Sequence, residues 1–225
     1  MIPFYDELVA ETRAEREAFR SIPLIRRAVS SGVDRELYLQ FLESAYHHVR
    51  HTCPLLRLAL SRCGAADDRY RAGLLDYLQE EAGHEGWILD DIEALGGDAR
   101  RTAAGTGSFA VRVMVGHAYF SIEHVSPYAF LGMAHVLEGM SVALAGAAAE
   151  AIGRSLGADR AAGFSYLTSH GDLDRSHTGI YAHLLDQIDS PDRRLIVATA
   201  ARDFYRLYGA VFEELDRGRQ VPHEA

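Results

Sequence analysis

Between Val125 and Ala149 the sequence reads VSPYAFLGMAHVLEGMSVALAGAAA, 25 residues with a single formally charged side chain, Glu138. A run this long and apolar is either a membrane span or the central helix of a helical core. Pro127, His135, Glu138 and the many small residues favour a buried core helix, so no membrane partner is expected. The lone acid then needs company, because a carboxylate deep in a core costs several kcal/mol unless it is protonated, paired or bound to a metal.

Helical periodicity runs through the rest of the chain, and no alternating β-branched stretch is long enough for a sheet. The spacing predicts helices near 4–19, 22–31, 34–63, 67–95, 107–122, 127–152, 158–168, 170–188 and 191–216. Gly96-Gly97 closes one of them, and Ser190-Pro191 offers a cap followed by proline in the first turn. Nothing resembling a Pro/Ser/Gly-rich linker divides the 225 residues, so a single all-α domain over 1–225 is expected.

A formal charge of −9 argues against nucleic-acid and anionic-membrane partners. Every basic side chain is arginine, which excludes Schiff-base chemistry and a phosphate-loop lysine. The opening MIPFYDELVAETRAER has no basic stretch followed by an apolar one, so no secretory signal is read. Cys53 and Cys63 lie about 15 Å apart on one predicted helix, too far to pair. Two unpaired thiols suit the cytoplasm.

Two motifs stand out, the first on an otherwise apolar stripe. In LLDYLQEEAGHEGWILDDIEALG, Glu81 and His84 share the stripe of Leu74, Leu78 and Ile88, so both can serve one metal site; Glu80 and Glu85 fall on other faces. In TSHGDLDRSHTGIYAHLL, His170, Asp174 and His177 stand at i, i+4 and i+7, one carboxylate between two imidazoles. His124 and His183 lack such company. A carboxylate three residues before a histidine also arises by chance. Placement carries the reading: one pair on an apolar stripe, the other with an extra histidine in phase, and a lone core acid between them.

Three carboxylates and three imidazoles with no cysteine in phase suit iron or manganese better than structural zinc, and three acids nearly balance two divalent ions. Calcium would want more oxygen and no imidazole. The order carboxylate, Glu-x-x-His, carboxylate, Asp-x-x-His also occurs in ferritin-like four-helix bundles; His170 and the two helices before residue 34 speak for a larger bundle. Buried, hydrogen-bonded polar residues without a metal remain the alternative.

From about Phe41 to Asp186 the pattern resembles the haem-oxygenase-like di-iron oxidases, relatives of the TenA/thiaminase II and PQQ-synthase proteins. The resemblance rests on Glu81/His84, Glu138 and the run His170, Asp174, His177. It implies a haem-oxygenase-like bundle of seven or eight helices, often a homodimer, and two irons per chain that activate O2 to oxidise a small organic substrate in the bundle core. Relatives usually add a glutamate from the second main helix. Here FLESAYHHVRHTCPLL offers Glu43, His47 and His51 at spacings of four, and the following Pro54 aligns His51 with that position; His48 points about 100° away from His47. Tyr46, Tyr128 and Tyr181 could line the cavity. Thiaminase II proteins use a cysteine where this chain has none, and true haem oxygenases use a histidine on their first helix, whereas the earliest here is His47. The alternative within the same resemblance is a TenA-like ligand-binding or regulatory protein without catalysis.

Overall fold

The computed structural model describes residues 2–157 and 163–218; the side chains of residues 170–178 and 180 lie outside the described ones. The fold is an all-helical, haem-oxygenase-like bundle. Its first helices are α1 (Phe4–Glu11), α2 (Arg13–Arg20), α3 (Pro23–Ser30), α4 (Arg35–Val49), α5 (Thr52–Arg62), α6 (Asp68–Glu80) and α7 (His84–Ala94). They are followed by α8 (Ala99–Ala104), α9 (Phe109–Phe120), α10 (Ala129–Leu156), α11 (Ser165–Asp186) and α12 (Pro191–Arg217). Taking α1 with α2, α4 with α5 and α6 with α7 as bent single elements leaves eight long members and the short α8 among the described residues.

All three bends replace helices expected to be unbroken, and the stretch expected at 4–19 parts at Thr12. The stretch expected at 34–63 parts at Arg50-His51, because Pro54 has no N–H to give the carbonyl of Arg50 and its ring crowds that carbonyl. The stretch expected at 67–95 parts at residues 81–83, where Gly83 takes φ +95°, a conformation that costs a side-chain-bearing residue energy. The separate helices expected at 158–168 and 170–188 are a different case. From Ser165 the chain runs as one helix to Asp186, entered through Gly163 at φ +86°, and residues 158–162 lie outside the described ones. Helix α8, which the periodicity missed, is six residues long and starts with the Asp98 side chain accepting from the Arg101 N–H.

Helix α10 forms the axis. It is long and apolar enough to cross a membrane, yet more than half of its most apolar window is buried inside the bundle, as a core helix requires. Helices α3, α11 and α12 pack around it, while α4 rests on α7 and α9. The α10–α12 crossing is close: a Cβ on Gly132 would stand 2.5 Å from the Ala200 Cβ and 2.7 Å from the Val197 carbonyl oxygen. Two apolar clusters result, one holding Tyr77, Phe130 and Met133, the other Tyr38, Val49 and Ala145. Candidate metal-ligating side chains lie where the two meet.

A candidate metal centre at the bends of two helices

Glu81 is the residue at which α6 ends and His84 is the first of α7. The bend turns both inward, leaving Glu81 4% and His84 5% exposed, with His84 Nδ1 3.4 Å from Glu81 Oε2. The two therefore meet through a sharp turn rather than along a continuous helical stripe. The His84 ring stacks on Trp87 at 4.3 Å, which holds its plane. Glu80 is exposed, as expected for another face.

On α10, Glu138 is half-buried and accepts a 2.5 Å hydrogen bond at Oε1 from the hydroxyl of Tyr77, itself 3% exposed on α6. Glu138 and Glu81 line one cavity of about 40 Å³, and the third metal-ligating type on its wall is His48, from α4. Tyr77 and Tyr166 line it too. Two carboxylates and an imidazole from three helices thus line one small space. Oxygen and nitrogen donors of this kind fit iron or manganese, and the site's chemistry is consistent with the expected metal class.

His51 is not brought to this cavity. It stays on the side of His47, one turn earlier, where its Nδ1 lies 3.0 Å from the Tyr119 hydroxyl and it shares another cavity with His47, Val111 and Tyr119. Burial, then the nearby Arg50, lowers the pKa of both His47 and His51, so each is a neutral imidazole near pH 7. Glu43 lines a third, open cavity with His47 and stands 3.8 Å from Arg101. Among the three expected tyrosines, Tyr128 bonds Asp67, Tyr46 lies beneath Arg50, and Tyr181 faces a separate cavity on the other side of Glu138.

His170, Asp174 and His177 have side chains outside the described residues, so only the course of their helix can be stated. The N-terminus of α11 is held by Asp91 of α7, whose carboxylate accepts the N–H groups of Ser165 and Tyr166 at 2.9 and 2.8 Å. Near its other end Leu184 fills the space over Gly73 of α6, and the Tyr181 hydroxyl donates to the Leu131 carbonyl of α10 at 3.3 Å. Helix α11 thus runs antiparallel to α6–α7 and to α10. About two turns from the Tyr181–Leu131 contact, the backbone at position 174 stands level with Glu138. The same turn lies midway between the Asp91 and Gly73 contacts, level with the Glu81–His84 bend. Among the described residues no three His, Cys, Asp or Glu side chains are near enough to one another to hold a metal ion.

A family model described as an iron-containing redox enzyme matches residues 39–209, a span that includes every candidate ligand. The chain belongs to this family. No curated protein matches it. Among solved structures, the iron-containing redox enzyme fold seen here is similar to that of a domain of unknown function with a haem-oxygenase-like fold from Shewanella denitrificans. That match has 17% identity and a TM-score of 0.85, covering 98% of this chain and 94% of that one. A TenA homologue from Pseudomonas syringae pv. tomato matches with 11% identity and a TM-score of 0.79 over 96% and 93%. Haem oxygenase-1 from Synechocystis, solved with haem, matches with 10% identity and a TM-score of 0.75 over 96% and 94%. At these identities the likeness is one of fold. In this member of the iron-containing redox enzyme family, His48 is the cavity-lining histidine that sequence reasoning passed over; His47 and His51 stay together on another face, and the 100° offset of His48 from His47 was the signal that could have found it.

Proposed function

We propose that this chain is a non-haem, iron-dependent oxidoreductase that activates O2 to oxidise a small organic substrate. Its iron, two per chain, would be held by Glu81, His84, Glu138, His48 and the α11 residues His170, Asp174 and His177. The observation that carries this reading is that His48, Glu81 and Glu138, from three helices, line one small cavity. Support also comes from α11, whose turn around position 174 stands level with that cavity. Iron, when bound, supplies the redox chemistry with O2; the chain's residues orient the donors and exclude water. Tyr77 fixes the Glu138 carboxylate through its hydrogen bond, and Trp87 fixes the His84 ring.

The test is iron content after anaerobic reconstitution with ferrous iron. His48→Ala and Glu81→Ala should each lose at least one iron per chain, while His51→Ala and His47→Ala keep the wild-type amount. Full iron in the His48 and Glu81 variants sinks the assignment. A wild-type protein that folds and repeatedly takes up neither iron nor manganese is instead the ligand-binding protein of the alternative reading.

The expected homodimer is part of the same proposal. Helix α9 presents Phe109, Val113 and Phe120 along one stripe, all exposed, with Phe109 at 68%. A second copy covering the same stripe satisfies two-fold symmetry. Light scattering should give about twice the 24.8 kDa chain mass, and Phe109→Asp with Phe120→Asp should halve it. A wild-type monomer at micromolar concentration removes this part.

A further inference from the structure

The cavity on the other side of Glu138, about 220 Å³, is larger than the candidate centre and has a different wall. Tyr5 of α1, Arg16 of α2, His135 and Glu138 of α10, Tyr181 of α11 and Tyr205 of α12 line it. The rings stand near one another: Tyr181 lies 6.1 Å from both Tyr5 and His135, and His135 lies 6.2 Å from Tyr205. A small carbon skeleton entering here meets aromatic faces and edges.

Arg16 is the cation of this wall. Its own helix gives it no acid: Thr12 and Arg13 precede it by four and three residues, and Phe19 and Arg20 follow at three and four. The nearby acids are engaged elsewhere, Glu17 by Arg13 and both Glu11 and Glu15 by Arg202. The guanidinium is half-buried and donates to the Val9 carbonyl at 3.0 Å, and among the described residues it has no ion pair. Its charge is felt in the cavity. Burial lowers the His135 pKa and Arg16 lowers it further; burial raises that of Tyr205 and Arg16 opposes the rise.

A guanidinium that has given up part of its water and has no counter-ion gains from an anion, and its planar fork matches a carboxylate through two parallel hydrogen bonds. One positive charge balances one negative charge. A dianion such as phosphate would carry a second charge against Glu138 on the same wall. We infer that this cavity is a binding site for a small organic monocarboxylate, its charge on Arg16 and its carbon skeleton among the rings of Tyr5, His135, Tyr181 and Tyr205. The site is separate from the space lined by His48, Glu81 and Glu138, and binding to it does not rest on the iron reading; Glu138 is on the wall of both.

The experiment is calorimetric titration at pH 8 with benzoate, with benzamide as the uncharged counterpart of the same shape and inorganic phosphate as the dianion. The metal-free protein decides, because iron itself attracts carboxylates. Benzoate should bind about tenfold or more tighter than benzamide, the size of effect that charge-assisted hydrogen bonds give. Arg16→Gln should bring benzoate down to the level of benzamide, while Arg20→Gln, at an exposed position one turn further along α2, should change neither. Gly139→Leu tests the cavity without touching a charge: Gly139 is on its wall, a Cβ there meets nothing within 4 Å, and leucine suits a helix interior better than glycine. That variant should lose both ligands, and the melting temperature of each variant checks that it is folded. Equal binding of benzoate and benzamide by the wild type, a benzoate preference that survives Arg16→Gln, undiminished binding by folded Gly139→Leu, or phosphate binding tighter than benzoate overturns the inference. Benzoate binding by a protein that never takes up iron keeps this site and removes only the iron reading; iron uptake without a benzoate preference does the reverse.

Discussion

Glu138→Leu is expected to give a folded protein whose iron affinity falls by about a hundredfold or more. The carboxylate is one of two that face the small cavity among the described residues, and leucine offers no donor in its place. Metal-free stability should change far less. Removing a half-buried acid relieves a desolvation cost, while Tyr77 loses the acceptor it has at 2.5 Å, an effect of about 1–2 kcal/mol in the opposite direction. Tyr77→Phe alone should weaken iron binding by about tenfold, as losses of a group that orients a ligand do. In the double variant the metal-free protein should regain what the single Glu138→Leu change lost, since neither half of the hydrogen bond remains. Iron stoichiometry and urea melts of the metal-free forms read all three. Unfolding of metal-free Glu138→Leu, with no recovery in the double variant, identifies Glu138 as a structural residue and withdraws it from the ligand set.

The second large effect is on acid stability. His135 is buried on α10, and burial first, then the Arg16 charge, pushes its pKa down to about 4. Its Nε2 lies 3.0 Å from the Thr12 oxygen, whose own hydrogen goes to the Leu8 carbonyl, so the ring donates from Nε2. Above the unfolded value of 6.5 the imidazole is neutral in both states, and the whole contribution is present. As the pH falls from 6.5 towards 4, the unfolded chain binds a proton that the folded chain refuses, and about 3 kcal/mol of stability is lost. Urea melts of the metal-free protein at pH 7.5, 5.5 and 4 measure the loss. His135→Gln, which can still donate to Thr12, should show a pH dependence shallower by about that amount. An unchanged slope in this variant means the ring does not carry the effect.

Helix class and core placement were legible because each depends on local pattern. The segment around Glu138 is too long and apolar for anything but a core or membrane helix, and α10 is the axis of the bundle. The Glu81/His84 pairing was legible as a pair but for the wrong local reason, since three-residue spacing unites two side chains across a tight turn as well as along a helix. Residues on the helix before Pro54 were harder to read. Counting 100° per residue keeps His47 and His51 together, as they are in the structure, but does not say which face of the helix turns towards Glu81 and Glu138.

The sequence by itself determined the all-helical class, the central buried helix with its single acid and the kinds of donor available for a metal, because composition and periodicity act within one helix. Only the tertiary structure decided which second-helix histidine shares a cavity with Glu81 and Glu138. That choice depends on which face of α4 turns towards α6 and α10 when the helices pack, and those contacts join residues such as His48 and Glu138, which are far apart in the chain and coupled by no local spacing.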